Sequence, residues 1–169
     1  MKKSSLVAAT LLAVSSLAAH ADTLPAPQAA VTNAPTAQDG IEINALLANY
    51  TESVSTGDRA RFESQLLDLH IPFAGIWAKD GAKNLDLKGI EDYAGFRKAI
   101  FDSGQQFKQR FSNVKIEQLG NLAQVSLDYE TTLQGTDYAG KGWKVLQLVK
   151  VKNHWKIVSE LFTGYPSHV

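Results

Sequence analysis

The fold of this chain is decided by residues 114–127, VKIEQLGNLAQVSL. Apolar and polar residues alternate on both sides of Gly120-Asn121, a pair that favours a two-residue hairpin turn. If Leu119 pairs with Leu122, one face of the hairpin is apolar and the other is polar. A shift of one residue would mix the two faces. The sequence therefore predicts an antiparallel hairpin whose buried face carries Val114, Ile116, Val125 and Leu127.

Extending this register towards residue 107 gives predictions for four polar or aromatic positions. Ser112 is placed opposite Tyr129, and Arg110 opposite Thr131, both on the apolar face. A cation there must reach solvent, meet a carboxylate or contact an anionic ligand. Asp128 and Glu130 fall on the polar face, so we predict a solvated carboxylate pair rather than acid–base catalysts in a pocket.

A second hairpin is predicted over residues 145–162, with its turn at Lys152-Asn153 or at Lys152-Asn153-His154. The three-residue turn keeps one face apolar and is preferred. It makes Gln147 and Ser159 neighbours inside an apolar wall, where they either orient a ligand or hydrogen-bond each other. The other face still carries Leu146, Leu148 and Phe162. Either the terminal segments cover that face, or a homodimer forms through the outer face of the sheet.

Three helices and a strand pair are predicted before these hairpins. Asp39 and Glu42 fit a capping box that starts the first helix, and Thr56-Gly57 ends it. Asp58 is suited to cap a short second helix that carries Phe62 and Leu66 inward. Strands are expected at residues 71–79 and 84–87, and a third helix at residues 89–102, with Ile90 among its inward residues.

The N-terminal residues have the pattern of a bacterial secretory signal. Lys2 and Lys3 precede an apolar stretch at residues 6–17, and Ala19-His20-Ala21 forms a cleavage site. This stretch is too short for a membrane-spanning helix, which needs about 20 residues. We therefore predict a signal peptide at residues 1–21, a disordered leader rich in Pro and Ala at 22–38, a domain at 39–165 and a tail at 166–169. The expected location is the periplasm, with secretion as the alternative.

Charge and cysteine content exclude several functional classes. Without Lys2 and Lys3 the chain has 15 Lys and Arg against 17 Asp and Glu, a formal net charge of −2. A chain so weakly charged is not expected to bind nucleic acid, or to enter a membrane after cleavage. The sequence contains no Cys, which excludes disulfides, thiolate catalysis and a lipid-modified cysteine. His70, His154 and His168 show no metal-ligand spacing, so neither metal nor cofactor is predicted.

Candidate ligand-binding residues come from the aromatic and isolated polar positions. Tyr50, Trp77 and Phe101 offer stacking surfaces for a flat ligand, although aromatic residues at such spacing are often core. His70 precedes the first strand and is the single candidate for a catalytic base; the alternative is a hydrogen bond to a helix-end carbonyl. The remaining ligand-binding candidates are Arg110, Tyr129, Gln147 and Ser159.

Three segments resemble the nuclear-transport-factor-2-like superfamily: residues 45–58 (ALLANYTESVSTGD), 87–96 (LKGIEDYAGF) and 145–162 (VLQLVKVKNHWKIVSELF). Within it, exported SnoaL-like or lumazine-binding-like proteins are the most similar. The resemblance implies an α+β, cone-shaped fold, with three N-terminal helices packed on a strongly curved antiparallel sheet and a pocket at one end. Proteins of this superfamily include binding modules as well as isomerases, dehydratases and cyclases.

From these observations the predicted function is a periplasmic binding or accessory protein that holds a small apolar or aromatic molecule. One alternative is a cofactor-independent isomerase, dehydratase or cyclase. The other is a dimeric interaction module without a ligand.

Overall fold

The computed structural model describes the backbone of residues 33–79, 84–86 and 90–164, and the side chains of residues 33–76 and 92–164. The predicted signal peptide, most of the leader, residues 80–83 between the first two predicted strands, and the tail lie outside the described residues. No helix in the described ranges is long and apolar enough to span a membrane. The elements are α1 (Ala37–Thr56), α2 (Arg59–Glu63), β1 (Pro72–Lys79), β2 (Asn84–Asp86), β3 (Ile90–Asp92), α3 (Tyr93–Ile100), β4 (Phe107–Leu119), β5 (Leu122–Leu133), β6 (Ala139–Val151) and β7 (His154–Gly164).

Helix α1 begins three residues before its predicted start. Its N-cap is Thr36, whose hydroxyl accepts a hydrogen bond from the Asp39 backbone N–H at 3.1 Å, so the prediction that Asp39 caps the helix was wrong. Thr36 is the N-cap because its backbone is extended, which places Asp39 inside the first turn of the helix. The Asp39 carboxylate points towards the sheet. The predicted end is confirmed, since Gly57 adopts the left-handed conformation with φ 68°.

The other two helices begin at aspartate caps. Asp58 caps α2 as predicted and accepts a hydrogen bond from the Arg61 N–H at 3.0 Å. Asp92 caps α3 through the Ala94 N–H at 3.0 Å. The third helix is therefore shorter than predicted, because the residues before Asp92 form β3 and pair with β1. Ile90 lies in this strand and not on a helix.

The strands form a sheet in the order β2-β1-β7-β6-β5-β4, with β3 on the edge of β1. Neighbours are antiparallel except β1 and β7, which run parallel. Buried residues of α1, α2 and α3 pack with those of the sheet in one core, including Ile43, Phe62, Tyr93, Val125 and Ile157. This confirms the predicted α+β fold with three helices on a mostly antiparallel sheet.

A β-bulge in β4 changes which residues face the helices. The hairpin at Gly120-Asn121 is confirmed, and Ile116 pairs with Val125 as predicted. Between Ser112 and Lys115 the register then shifts, at Asn113 with φ 52°. Beyond the bulge Phe111 pairs with Tyr129. The predicted pairings of Val114, Ser112 and Arg110 were therefore wrong, because the shifted register lets Phe107 and Phe111 enter the core.

The final hairpin contains a second bulge. Its turn has two residues, Lys152 and Asn153, with φ 48° and 66°, so the preferred three-residue turn was wrong. The register then shifts between Gln147 and Leu148, which restores the predicted pairing of Gln147 with Ser159. The inward residues of β7 thus change from odd numbers near the turn to even numbers beyond the bulge.

Candidate functional site

A cavity of about 580 Å³ lies between α3 and the inner side of the sheet. Its lining extends from the buried pair Lys144 and Glu160 to the exposed Tyr138, which we take as its mouth. Most of the wall is aromatic or aliphatic, and the polar side chains are few. The main contacts come from Phe73, Phe96, Ile100, Phe107, Tyr129, Leu133 and Phe162.

The closed end of the cavity holds a buried ion pair. Lys144 Nζ lies 2.7 Å from Glu160 Oε1, and neither side chain is more than 2% exposed. Lys144 also donates a hydrogen bond to the Tyr50 hydroxyl at 2.8 Å, and that hydroxyl donates to Glu160 Oε2 at 2.8 Å. We call these three residues the Tyr50–Lys144–Glu160 cluster. It is closed internally and carries no net charge when the pair is ionised.

Burial and mutual charge set the protonation of this cluster. Burial lowers the pKa of Lys144 below its ordinary value, and the Glu160 charge opposes that shift. Burial raises the pKa of Tyr50 well above its ordinary value, and the negative charge of Glu160 adds to the effect. Tyr50 therefore remains a hydrogen-bond donor at neutral pH. The cluster offers an amine, a phenol and a carboxylate within hydrogen-bond distance of one another.

Aromatic rings surround the ammonium group. Lys144 Nζ lies 4.6 Å from the Tyr50 ring centre, 5.3 Å from that of Tyr129 and 5.5 Å from that of Phe111. Two more rings, of Phe96 and Phe162, lie within 6.0 Å. The negative faces of such rings partly replace the water that a buried cation loses. This surrounding explains how a lysine is accommodated in an apolar cavity wall.

Two oxygens on the cavity wall receive no hydrogen bond from the described residues. One belongs to the Gln109 carboxamide and the other to the Glu160 carboxylate. Gln109 donates through Nε2 to Thr131 Oγ1 at 2.8 Å, while its buried Oε1 accepts nothing from the described residues. Glu160 Oε1 contacts the Lys144 ammonium, yet within the same ranges no group donates a hydrogen bond to it in acceptable geometry. Buried polar atoms are normally paired, so each oxygen has capacity for a donor on a ligand.

Two glycines on β6 have different roles, since Gly140 borders the cavity and Gly142 lets β6 approach β7 closely. Gly140 lines the cavity, and a Cβ added there would lie 2.9 Å from the Tyr138 hydroxyl. Gly142 is buried where β6 approaches β7, and a Cβ there would overlap the Thr163 carbonyl and lie 2.8 Å from the Tyr129 ring. Because Gly140, Gly142 and Lys144 share one face of the strand, the glycines make room beside the lysine.

Among the aromatic candidates from the sequence, Tyr129 lines the cavity, while Tyr50 lies behind it in the Tyr50–Lys144–Glu160 cluster. Phe101 is half-buried outside the lining and packs against Phe62, with ring centres 5.1 Å apart. The side chain of Trp77 lies outside the described residues. The structure thus brings two of these four aromatic side chains to the closed end of the cavity.

The polar candidates lie on the outer face of the sheet. Arg110 was predicted on the apolar face, but its exposed guanidinium pairs with Glu130 at 2.9 Å, because the β4 bulge turns it outward. Gln147 and Ser159 were predicted in an interior wall. They lie on the outer face, where Ser159 donates to Gln147 at 2.6 Å. The inward positions are taken by their neighbours Leu146, Leu148 and Glu160.

His70 is exposed just before β1 and does not line the cavity. Its backbone N–H donates to Asp68 Oδ1 at 2.7 Å. Within the described ranges, no group of three or more His, Asp or Glu side chains is arranged to hold a metal ion. The polar chemistry of the cavity comes from other residues.

Among the polar residues of the cavity wall, sequence reasoning missed Lys144, Glu160 and Gln109. Lys144 and Leu146 share strand parity, so a charge within an apolar face was the available signal. Glu160 and Gln109 gave no such signal, because each lies beyond a bulge that reverses the parity of its strand. Locating the bulges requires the neighbouring strand and not the local pattern.

A family model for the SnoaL-like domain matches residues 43–162, and the chain belongs to this family. Comparison with curated proteins gave no match. The solved structures that resemble it include a cystatin-like protein of unknown function from Nostoc punctiforme, with TM-score 0.59 and 15% identity over 78% of this chain and 95% of that one. An NTF2-like protein from Shewanella baltica has TM-score 0.56 and 19% identity over 80% and 100%.

A third similar structure, from Novosphingobium aromaticivorans, is described as a putative scytalone dehydratase. Its TM-score is 0.59 and its identity 13%, over 78% of this chain and 89% of that one. At this identity the likeness establishes the fold alone. The comparisons confirm the predicted SnoaL-like and NTF2-like resemblance, and the function must be argued from the cavity.

Proposed function

We propose that this protein binds a small apolar or aromatic molecule in the cavity, as an exported binding or accessory protein. The supporting observation is the cavity itself, about 580 Å³ with an aromatic wall and one buried polar cluster. Ligand pockets usually measure about 300–1,000 Å³ and combine apolar walls with a few polar groups. This shape and lining support the proposal.

The direct test is an NMR titration with naphthalene, a flat apolar probe. Binding in the cavity should shift the amide signals of Gly75, Gly95 and Gly140, which line it. A Gly140→Val variant places a side chain in the cavity and should weaken binding at least about tenfold, which corresponds to about 1.4 kcal/mol. A matched control, Gly135→Asn, changes a loop glycine with φ 79° and no close neighbour, and should bind normally. Absence of binding to the natural chain, or equal binding by Gly140→Val, would reject the proposal.

A complementary measurement identifies the natural ligand. Native mass spectrometry of protein purified from its own host should show an added mass of a small molecule that organic solvent releases. The Gly140→Val protein, prepared in parallel, should lack that mass. A retained mass in both proteins would place the ligand outside the cavity.

A second candidate function is cofactor-independent acid–base catalysis, favoured by the Tyr50–Lys144–Glu160 cluster. A carboxylate beside two hydrogen-bond donors is suited to remove a proton next to a carbonyl while the donors stabilise the developing oxyanion. In this step Glu160 takes the proton and then returns one to the same or a neighbouring carbon. Isomerisation and dehydration both begin in this way.

Hydrogen exchange of 2-tetralone in D₂O tests this candidate. The protein should accelerate deuterium uptake next to the carbonyl, and Glu160→Gln should abolish the acceleration while Glu52→Gln, an exposed substitution on α1, leaves it intact. Uptake no faster than in buffer would leave binding as the supported function.

Export to the periplasm is the part of the proposal that rests on residues 1–21. Lys2, Lys3 and the Ala19-His20-Ala21 triplet are its support. Fractionation of the host followed by intact-mass analysis should give a periplasmic chain that begins at Asp22. A chain of full length in the cytoplasm would contradict it.

We also propose a homodimer through the outer face of the sheet. That face exposes apolar side chains, with Trp143 and Leu161 both 43% accessible on paired strands. Burying them against a second copy would remove apolar surface from water. Sedimentation equilibrium should show a dimer that Leu161→Lys converts to monomer, whereas Leu69→Lys, an exposed residue away from the sheet, should have no effect. A monomeric natural chain would reject the dimer.

A further inference from the structure

The polar atoms on the cavity wall restrict the chemical class of ligand. This inference rests on the proposed binding function, and it starts from the two oxygens that lack a donor, Gln109 Oε1 and Glu160 Oε1. Both residues line the same cavity. A ligand that fills the cavity without donating hydrogen bonds would leave Gln109 Oε1 unpaired and excluded from water, and would leave Glu160 Oε1 with the Lys144 ammonium as its only partner among the described residues.

The charge of the closed end restricts the ligand further. Lys144 and Glu160 form a pair 2.7 Å apart, and Tyr50 is held neutral. An anionic ligand would bring a second negative charge to Glu160 with no free cation to balance it, because Lys144 is already paired. Burying such an unbalanced charge is costly. A cationic ligand would likewise meet the Lys144 ammonium.

We propose that the cavity selects a neutral hydroxylated aromatic molecule whose hydroxyl groups donate hydrogen bonds to Glu160 Oε1 and, where a second hydroxyl is present, to Gln109 Oε1. A hydroxyl is neutral and both donates and accepts, so it also suits the adjacent Lys144 N–H groups. The aromatic part lies against the rings of Phe73, Phe96, Phe107, Tyr129 and Phe162.

The β7 bulge is what brings the first of these oxygens into the cavity. A regular ladder continued from the Lys152-Asn153 turn would put Ser159 opposite Leu146, facing inward, and would turn Glu160 outward. The observed register places Glu160 opposite Leu146 and Phe162 opposite Lys144. The β4 bulge has the same effect on its strand. Gln109 faces inward, and Arg110, which was predicted to face inward, faces outward. Both selective groups therefore depend on bulges, which often lie next to functional sites.

Calorimetric titration with four probes at neutral pH tests the inference: naphthalene, 2-naphthol, 2,6-dihydroxynaphthalene and 2-naphthoate. The single hydroxyl should tighten binding at least about tenfold over naphthalene, because it gains a hydrogen bond to a carboxylate. The second hydroxyl should tighten it again, and 2-naphthoate should bind more weakly than naphthalene. Gln109→Met should remove the gain from the second hydroxyl alone.

A triple variant, Tyr50→Phe/Lys144→Met/Glu160→Leu, provides the matched control because it replaces the whole cluster with apolar side chains of similar size. Replacing a complete buried pair in this way commonly preserves folding. The triple variant should bind naphthalene and 2-naphthol with equal affinity. Its thermal unfolding gives an independent check that it is folded.

The outcomes separate this inference from the proposed function. If naphthalene binds and 2-naphthol binds no tighter, or if 2-naphthoate binds tightest, the selectivity inference is overturned while the binding function stands. If a hydroxyl preference persists in the triple variant, the assignment to Glu160 is overturned. If none of the four probes binds, the binding function and the inference both fall.

Discussion

At the residue scale, the chemistry of this protein depends on a charge pair in an apolar wall. Lys144 and Glu160 are each almost fully buried, and the Tyr50 hydroxyl accepts a hydrogen bond from Lys144 and donates one to Glu160 Oε2. Such a pair is weak evidence for stability, because desolvation offsets the attraction between the charges. Because the pair also lines the cavity, we propose that it serves ligand selection rather than stability.

Breaking this pair should be far more harmful than replacing it. Lys144→Met leaves the Glu160 carboxylate buried without a counter-charge and should lower the free energy of unfolding by about 3–5 kcal/mol. The triple variant Tyr50→Phe/Lys144→Met/Glu160→Leu should recover most of that loss. Urea unfolding of the three proteins measures both effects, and equal losses in the single and triple variants would contradict this account.

Asp39 joins α1 to three strands of the sheet. Its carboxylate accepts hydrogen bonds from Lys150 at 2.6 Å, Gln118 at 2.8 Å and Trp155 at 3.0 Å. The hydrogen bond from Lys150, followed by those from Gln118 and Thr36, holds the pKa of Asp39 well below its ordinary 3.8. A carboxylate with a lowered folded pKa stabilises the protein above about pH 4, and that contribution is lost as the pH falls towards the folded value.

The Asp39→Asn variant should therefore lose stability at neutral pH, and its deficit should shrink on acidification. Urea unfolding between about pH 2 and pH 7 measures this, because the natural chain alone loses the Asp39 contribution below about pH 4. Glu52→Gln is the control on the same helix, since its exposed ion pair with Arg61 contributes little. A deficit for Asp39→Asn that is constant across the range would argue against the carboxylate as its source.

At the element scale, the interior of the sheet is shaped by bulges and by glycines on β6. The bulges set which residues of β4 and β7 face inward, and Gly140 and Gly142 remove side chains from β6. Gly142 is required by a close approach of two backbones, whereas Gly140 faces the end of one flexible side chain. The two positions should therefore tolerate a methyl group very differently.

Gly142→Ala should destabilise the protein by about 1–3 kcal/mol or more, because the new methyl group meets the Thr163 carbonyl and the Tyr129 ring. Gly140→Ala should change stability by less than about 1 kcal/mol, since the Tyr138 hydroxyl can move aside. Thermal unfolding of both variants makes the comparison. Equal effects would show that β6 and β7 separate more easily than this packing implies.

At the scale of the whole molecule, one compact unit extends from Thr32 to Val169. Its first described contacts are those of Asn33, whose carbonyl accepts a hydrogen bond from the Gln118 N–H at 2.7 Å, and of the Thr36 cap. The core is built from residues that follow these positions. Folding therefore should not require the preceding residues.

A chain that begins at Asn33 should have the same free energy of unfolding as one that begins at Asp22, to within about 0.5 kcal/mol. Urea unfolding at matched protein concentration measures this. A chain that begins at Asp39, the predicted domain start, should be less stable because it lacks the Thr36 cap, by about 1 kcal/mol. Equal stability of all three would show that the cap contributes nothing.

The sequence by itself determined the family resemblance and most of the elements, but not β3, which lies where a helix was predicted. Gly57, Asp58 and Gly120-Asn121 act through their own backbone conformation and near neighbours, so their helix ends and hairpin turn could be predicted without the rest of the chain. The three segments that resemble SnoaL-like proteins predicted how these elements are arranged in the whole fold. Tyr129 was found as a candidate because its aromatic side chain is informative in any register.

Only the tertiary structure decided which polar residues meet in the cavity. Strand alternation identifies residues that share a face, but it cannot place a bulge, because a bulge is stabilised by what the shifted face gains against its partners. In β4 the gain is the packing of Phe107 and Phe111, and in β7 it is the burial of Phe162 beside Lys144. Glu160 and Gln109 face the cavity for that reason, and no local pattern in their own strands predicted it.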